Sequence, residues 1–291
     1  MPFEPLASAV LRQLHAIDQR LPAPRVRRLH LPAAAAADPR DAEFCGIELA
    51  DGAIGLSFVL LGGTLEQLLA RHPGRAGAPL AGADALALAG AFGHGDAAER
   101  AVALAAINAL TQSAWQRLGY QPPPASNSVG DMALEPGSHL GMIGCFMPLV
   151  EPLVQAGVKL SIVELDAPKV AALQARFPAV HATLERQALA GCAHIVGTST
   201  MLLNDTLDAM LATCQAAREF AVIGPSAGLW PDALFARGVT RVCGSQIVDG
   251  EAFAQALRDG RPWGPVARKF AIDRATWPGW QALLDGAADR P

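Results

Sequence analysis

Long apolar runs are missing from this chain. Ala53–Leu61 and Leu140–Val150 stop well short of the ~20 residues that a bilayer-crossing helix needs, which argues against a membrane protein. Excess positive charge is missing as well. The 23 Lys and Arg face 27 Asp and Glu, giving a formal net charge of −4, and the isoelectric point is about 6.0, which argues against a nucleic-acid partner. Aromatic residues are only 5% and charged residues only 17% of the chain. Hydrophobic residues make up 51% and mean hydropathy is +0.25, so the chain is not of the polar, charge-rich kind that stays disordered. The five cysteines, Cys45, Cys145, Cys192, Cys214 and Cys243, are scattered and include no C-x-x-C. That pattern disfavours a disulfide framework or a zinc knuckle and fits a reducing compartment. The opening Met1-Pro2-Phe3-Glu4 has neither the basic nor the apolar stretch of a signal peptide, so a cytoplasmic location is expected.

What is present reads as two domains, at ~150 residues each. Leu6, Val10, Leu14, Ile17 and Leu21 recur at helical spacing. Residues 25–40 are ambiguous, with a basic start and a five-alanine run. Apolar segments 44–48 and 54–60 flank Asp51-Gly52, a hairpin signal that calls for positive φ at both turn residues. Thr64, with Gln67 three residues on, predicts an N-cap. A Gly/Pro-rich loop follows over 72–82. The spacing predicts a long helix over 97–118 whose buried face is mostly alanine. Residues 121–128 hold three successive prolines and read as a stiff spacer, so the expected domains are 1–124 and 125–291. Beyond it, strand-like runs at 139–143, 159–164, 179–183, 194–197, 220–224 and 240–244 alternate with helical segments, which predicts a parallel sheet with right-handed crossovers. The tail from Arg261, with Trp263, Trp277 and Trp280, shows no clear periodicity.

In such a sheet, ligands bind beyond the carboxyl ends of the strands, near the reversal of strand order. Four loops fall there. The first, Gly141–Pro148, lacks a full G-x-G-x-x-G, and Cys145, Phe146 and Met147 stand where a pyrophosphate wants bare backbone; Gly144, Cys145 and Phe146 are candidate ligand-binding residues, with an adenosine or another flat group against Phe146, and the glycines read equally as serving only tight strand–helix packing. Glu164 lies about 20 residues after that loop, where an acid hydrogen-bonds ribose hydroxyls, whereas Asp166 reads as an N-cap. The third loop offers Thr198, Ser199 and Thr200, with Asn204 read as a cap of the next helix. The fourth, Gly224-Pro225-Ser226, is small enough for close ligand approach, and the absence of G-x-S-x-G argues against a serine nucleophile. Asn108 on the alanine-rich helix reads first as a structural amide and second as a group facing these loops. Phe92–Asp96 reads equally as a polar site or as a capping loop. Cys192 and His194 lie two apart but lack zinc spacing, so buried cysteine as a small hydrophobe is the better reading.

Four segments come in a familiar order: Ala105–Ala109 on a helix, Gly141–Pro148, Gly197–Thr206 and Gly224–Pro231. Together they make residues 40–260 resemble the bacterial and archaeal family that is named for heavy-metal chelation and whose function is unknown. The resemblance implies an α+β domain like the N-terminal domain of enolase, followed by a Rossmann-like α/β domain, with a site between them involving Asn108, the 144–148 loop, Glu164, Thr198–Thr200 and Gly224–Ser226. The expected ligand is a small molecule, nucleotide-like or a metal chelate. The alternatives are a metal-binding protein without catalysis and a homo-oligomeric module whose interface is the alanine-rich helix or the tryptophan-bearing tail.

Overall fold

Helix α4 (Ala97–Arg117) is apolar on every side, and that dictates its place. Its residues are buried without a break from Ala101 to Trp115, as an all-round apolar helix must be. It is therefore an internal strut and not an oligomer interface, which corrects one of the expected alternatives. Asp96 and Glu99 close a capping box at its start, and Asp96 also holds Arg71. The polar spot at 92–96 is thus a helix cap. On one side α4 lies against the three-stranded antiparallel sheet of β1 (Val26–His30), β2 (Phe44–Leu49) and β3 (Ile54–Phe58), in the order β1-β2-β3. The contact is so close that a β-carbon on Gly55 would overlap the backbone of Ala105 and Ala109.

The computed structural model describes residues 4–32, 43–73, 80–125 and 129–288. Parts of three expected segments lie outside the described residues: 33–40 of the ambiguous stretch, 74–79 of the Gly/Pro-rich loop and 126–128 of the spacer. The described part of the first is β1. The hairpin forms as expected, but only Gly52 takes a positive φ; Asp51 does not. The Asp51 carboxylate instead accepts from Ser113 on α4, at 2.5 Å. Thr64 is not an N-cap. Helix α2 (Thr64–Arg71) is preceded by Gly63 in the left-handed region, and the Thr64 hydroxyl donates to the Leu61 carbonyl.

The second half builds a seven-stranded sheet. Strands β4 (His139–Ile143), β5 (Lys159–Val163), β6 (His181–Thr183), β7 (His194–Thr198), β8 (Glu219–Ile223) and β9 (Arg241–Ile247) are parallel, and β10 (Ala267–Asp273) closes one edge antiparallel to β9. The spatial order is β10-β9-β8-β7-β4-β5-β6. Counting from β4, the six parallel strands run 3-2-1-4-5-6, a Rossmann-like order that reverses between β4 and β7. The fold is thus a Rossmann-like α/β sheet preceded by a smaller α+β unit. Helices α5 (Met147–Gln155) and α6 (Ala167–Arg176) cover one face. The other face shares a single apolar core with α4 and the small sheet. Helix α9 (Gly250–Asp259) packs Phe253 and Leu257 on the outer face of the small sheet, against Phe44, Ile54 and Leu56.

The tail holds two elements that its sequence did not announce, β10 and α10 (Trp280–Ala288). The expected spacer does not hang free. The Pro123 carbonyl accepts from Ala271 and the Ala125 N–H donates to Lys269, so the segment runs along β10. Trp277 packs on Tyr120 and Trp230, and Trp263 on Phe44 and Phe253. Among the described residues, no helix is long and apolar enough to cross a membrane.

Candidate functional site

At the reversal point the strand ends open onto a cleft of about 660 Å³, within the ~300–1,000 Å³ usual for small-molecule sites. One wall is the large sheet: the turn after β4, the residues after β5, the turn after β7 and the loop after β8. The opposite wall is Phe44 and Phe58 of the small sheet and Leu61 just beyond β3, with Trp263 from the tail. The rings interlock edge to face: Phe44 lies 5.6 Å from Phe58 and 5.5 Å from Trp263 between centroids.

The turn between β4 and α5 is where a Rossmann fold normally presents backbone N–H groups to phosphate. Here those of residues 144–146 are already engaged. Gly144 donates to the Val163 carbonyl at 2.9 Å, Cys145 donates to Glu164 Oε1 at 2.7 Å, and Phe146 approaches Met142 Sδ at 3.2 Å. Pro148 has no N–H, and Leu149 donates to the Phe146 carbonyl. No donor among these is turned to the cleft. Glu164, expected to meet ribose hydroxyls, thus also fastens the turn. Its other oxygen accepts from Leu165 at 3.3 Å, and both carboxylate oxygens keep a lone pair.

After β7, Thr198 caps a short 3-10 turn over Ser199–Leu202. Its Oγ1 accepts from the Thr200 N–H at 3.3 Å and from the Thr200 hydroxyl at 3.1 Å. Asn204 does not cap the following helix, α7 (Leu207–Thr213). Its Oδ1 accepts from the Thr206 hydroxyl at 2.7 Å, and it lines the cleft. Asp166 stands at the N-cap position of α6, but its side chain makes no capping bond and it too lines the cleft. After β8, Gly224 has φ 136°, and a β-carbon there would run into the Ser199 hydroxyl. Only glycine brings these two loops together.

Of the residues singled out from sequence, Gly144, Cys145, Phe146, Glu164, Thr198, Ser199, Thr200, Gly224 and Pro225 share the cleft. Asn108 and Ser226 do not. Both are buried behind the wall. The Asn108 amide donates to the Leu56 and Ser226 carbonyls at 2.7 and 2.9 Å, and Ser226 Oγ accepts from the Phe58 N–H at 2.9 Å. They stitch β3 to the Gly224 loop and hold the two walls in register. Residues that the sequence reading missed are Phe44, Phe58 and Lys169; only Trp263 had left a trace, as one of the tail tryptophans.

A bare heavy-metal ion does not fit these residues. Among the described residues, no three His, Cys, Asp or Glu side chains converge as metal ligands. The cleft thiol, Cys145, is pushed up to about 11 by burial and by the neighbouring Glu164 carboxylate, so the soft thiolate that such metals require is disfavoured. Elsewhere, Cys192 is buried with its thiol on the Ala188 carbonyl, and His194 pairs with Glu219 at 2.7 Å.

Two family models with the same description, "putative heavy-metal chelation", match residues 128–276 and 42–111. A Pyrococcus horikoshii protein of unknown function is similar over 92% of this chain and 99% of its own, at 18% identity and a TM-score of 0.63. A second, from Desulfitobacterium hafniense DCB-2, is similar over the same shares at 17% identity and a TM-score of 0.62. No curated protein sequence matches the chain.

Proposed function

The chain belongs to the family described as "putative heavy-metal chelation", whose model spans 149 of its 291 residues, and from that premise we propose that it binds a small organic molecule in the cleft, a molecule with a flat ring and hydroxyl or amine groups but no phosphate. The observation that carries this reading is the engagement of the Gly144, Cys145 and Phe146 N–H groups of the β4–α5 turn by acceptors of the protein itself. A pyrophosphate there would find the N–H groups of residues 144–146 already taken and would face the Glu164 carboxylate. Phe44, Phe58, Phe146 and Trp263 offer surfaces for a ring. Glu164, Thr198, Thr200 and Asn204 offer acceptors and hydroxyls for polar substituents, in the manner of a nucleoside or of an organic chelator. In this reading any role in heavy-metal chelation passes through the organic ligand and not through protein ligands to a bare ion.

A thermal-shift comparison of the full chain with adenosine, S-adenosylmethionine, ADP, NAD and NADP tests it. A ligand at a hundredfold excess over its Kd adds about 2.7 kcal/mol, worth several degrees of melting temperature for a protein this size. The expected result is a shift with adenosine or S-adenosylmethionine that exceeds any shift with ADP or the dinucleotides. A larger shift with ADP, NAD or NADP, or none with any of the five, overturns the reading. The alternative, a metal-binding protein without catalysis, is checked by elemental analysis of protein purified without a tag: about one equivalent of metal retained after dialysis favours it.

A further inference from the structure

Behind the wall formed by Phe146 and Pro225 lies a second cavity, of about 310 Å³. It sits on the α5 side of the sheet, at the carboxyl ends of β8 and β9, and nothing in the reading of the main cleft accounts for it. Its surface is mostly apolar. Phe146, Pro148 and Leu149 form one side and Cys243 with Ser245 the other. Burial pushes the Cys243 thiol up to about 12, so it adds no negative charge to the lining.

Among the described residues, the one charged residue in this lining is Lys269. It stands opposite Ser245 in the β9–β10 register and so projects to the same face as Cys243. Its ammonium makes no ion pair or side-chain hydrogen bond among the described residues, and it is exposed. The nearby carboxylates do not line the cavity: Asp273 is held by Arg241 at 2.6 Å, and Asp131 has interactions of its own. The choice of residue is unusual for this chain. Only three of its 23 basic residues are lysine, and two of those, Lys169 and Lys269, border the two cavities. Lysine gives a compact point charge on an apolar stem, where arginine gives a planar fork.

An apolar chamber with one unpaired ammonium at its edge suits a ligand that is apolar along its length and anionic at one end. We propose that this second cavity binds a small aliphatic carboxylic acid, its chain on Phe146, Pro148 and Leu149 and its carboxylate on Lys269. The proposal stands apart from the ligand of the main cleft and does not rest on it.

Isothermal titration of the full chain with butanoate, hexanoate, octanoate and octanol tests it. Each added CH2 is expected to tighten binding about fourfold, the equivalent of ~0.8 kcal/mol of apolar burial. Lys269→Met, at an exposed position, is expected to weaken octanoate about tenfold while leaving octanol unchanged; Lys159→Met, at a distant exposed lysine, changes neither. Absence of octanoate binding, affinity independent of chain length, equal losses for octanoate and octanol in Lys269→Met, or no loss of octanoate in that variant overturns the proposal.

Discussion

Removing the Asn108 side chain tests whether the two walls of the cleft are held as one block. Asn108 sits inside α4 at 1% exposure, and both hydrogens of its amide are used, on the Leu56 carbonyl of β3 and the Ser226 carbonyl of the loop after β8. Ser226 returns the link by accepting the Phe58 N–H. Asn108→Ala leaves two buried carbonyls short of a donor, at ~1–3 kcal/mol each. Asn108 Oδ1 itself has no partner among the described residues, so its removal returns about 1 kcal/mol. The expected net loss is therefore roughly 1–5 kcal/mol. Ser226→Ala strands the Phe58 N–H for ~1–3 kcal/mol.

Because the two residues share one link, the double variant is expected to fall short of additivity by ~0.5–3 kcal/mol. Urea unfolding reads this directly as shifts in midpoint at unchanged slope. Ligand affinity gives the second readout. Phe58 stands on one wall and Gly224 with Pro225 on the other, so both variants are expected to weaken whatever ligand the thermal-shift screen identifies, although neither residue touches the cleft. Single losses below ~0.5 kcal/mol with no coupling, or unchanged affinity in both variants, would refute the stitching argument.

Glu48 is buried in the small sheet among His30 at 2.8 Å, Arg27 at 2.9 Å and Arg28 at 3.0 Å. Burial alone would raise its pKa, but the bond to His30 and the charges of His30, Arg28 and Arg27 outweigh burial and hold it below the usual 4.5. Stability from this group is therefore complete above about pH 4.5 and lost as pH falls through the lowered value. Glu48→Gln should cost about 3 kcal/mol at pH 7, the low end for a broken buried pair because Arg27 is half exposed, and should flatten the fall in midpoint below pH 4.5; a variant with the wild-type slope there refutes the assignment. At Cys145, with its thiol pushed up to about 11 by burial and Glu164, iodoacetamide alkylation should be slow at pH 7.5 and rise about tenfold per pH unit towards 11; saturation by pH 9, read by mass spectrometry, contradicts it.

The parallel half of the fold was legible because apolar runs and helical segments alternate there, and β4 falls at the expected residues. β10 was not, because an antiparallel edge strand takes its register from β9 and not from its own pattern. The caps failed for a common reason. A threonine or asparagine can satisfy helix N–H groups or a local partner, and only the fold decides: Thr64 chose the Leu61 carbonyl and Asn204 the Thr206 hydroxyl. The cleft shows the same divide. Residues at strand ends were found by their position in the fold type, whereas Phe44, Phe58 and Trp263 reach the cleft by packing across some 200 residues of chain. Nor could the sequence reveal that the Cys145 N–H ends on Glu164, the contact that removes the phosphate cradle.

That contact also bears on how a metal could be involved. Soft metals take thiolates, and each thiolate must first lose its proton. Burial first, and then the charge of the nearby Glu164 carboxylate, favour the protonated Cys145 thiol. The acid that blocks phosphate by occupying the turn thus also works against a bare heavy-metal ion by disfavouring the cleft's thiolate. What remains is an array of hydroxyl, amide and carboxylate acceptors opposite a wall of interlocked rings. Such an array discriminates among organic groups by shape and hydrogen bonding, and on the reading proposed above a metal would enter with its own organic ligands and be recognised through them.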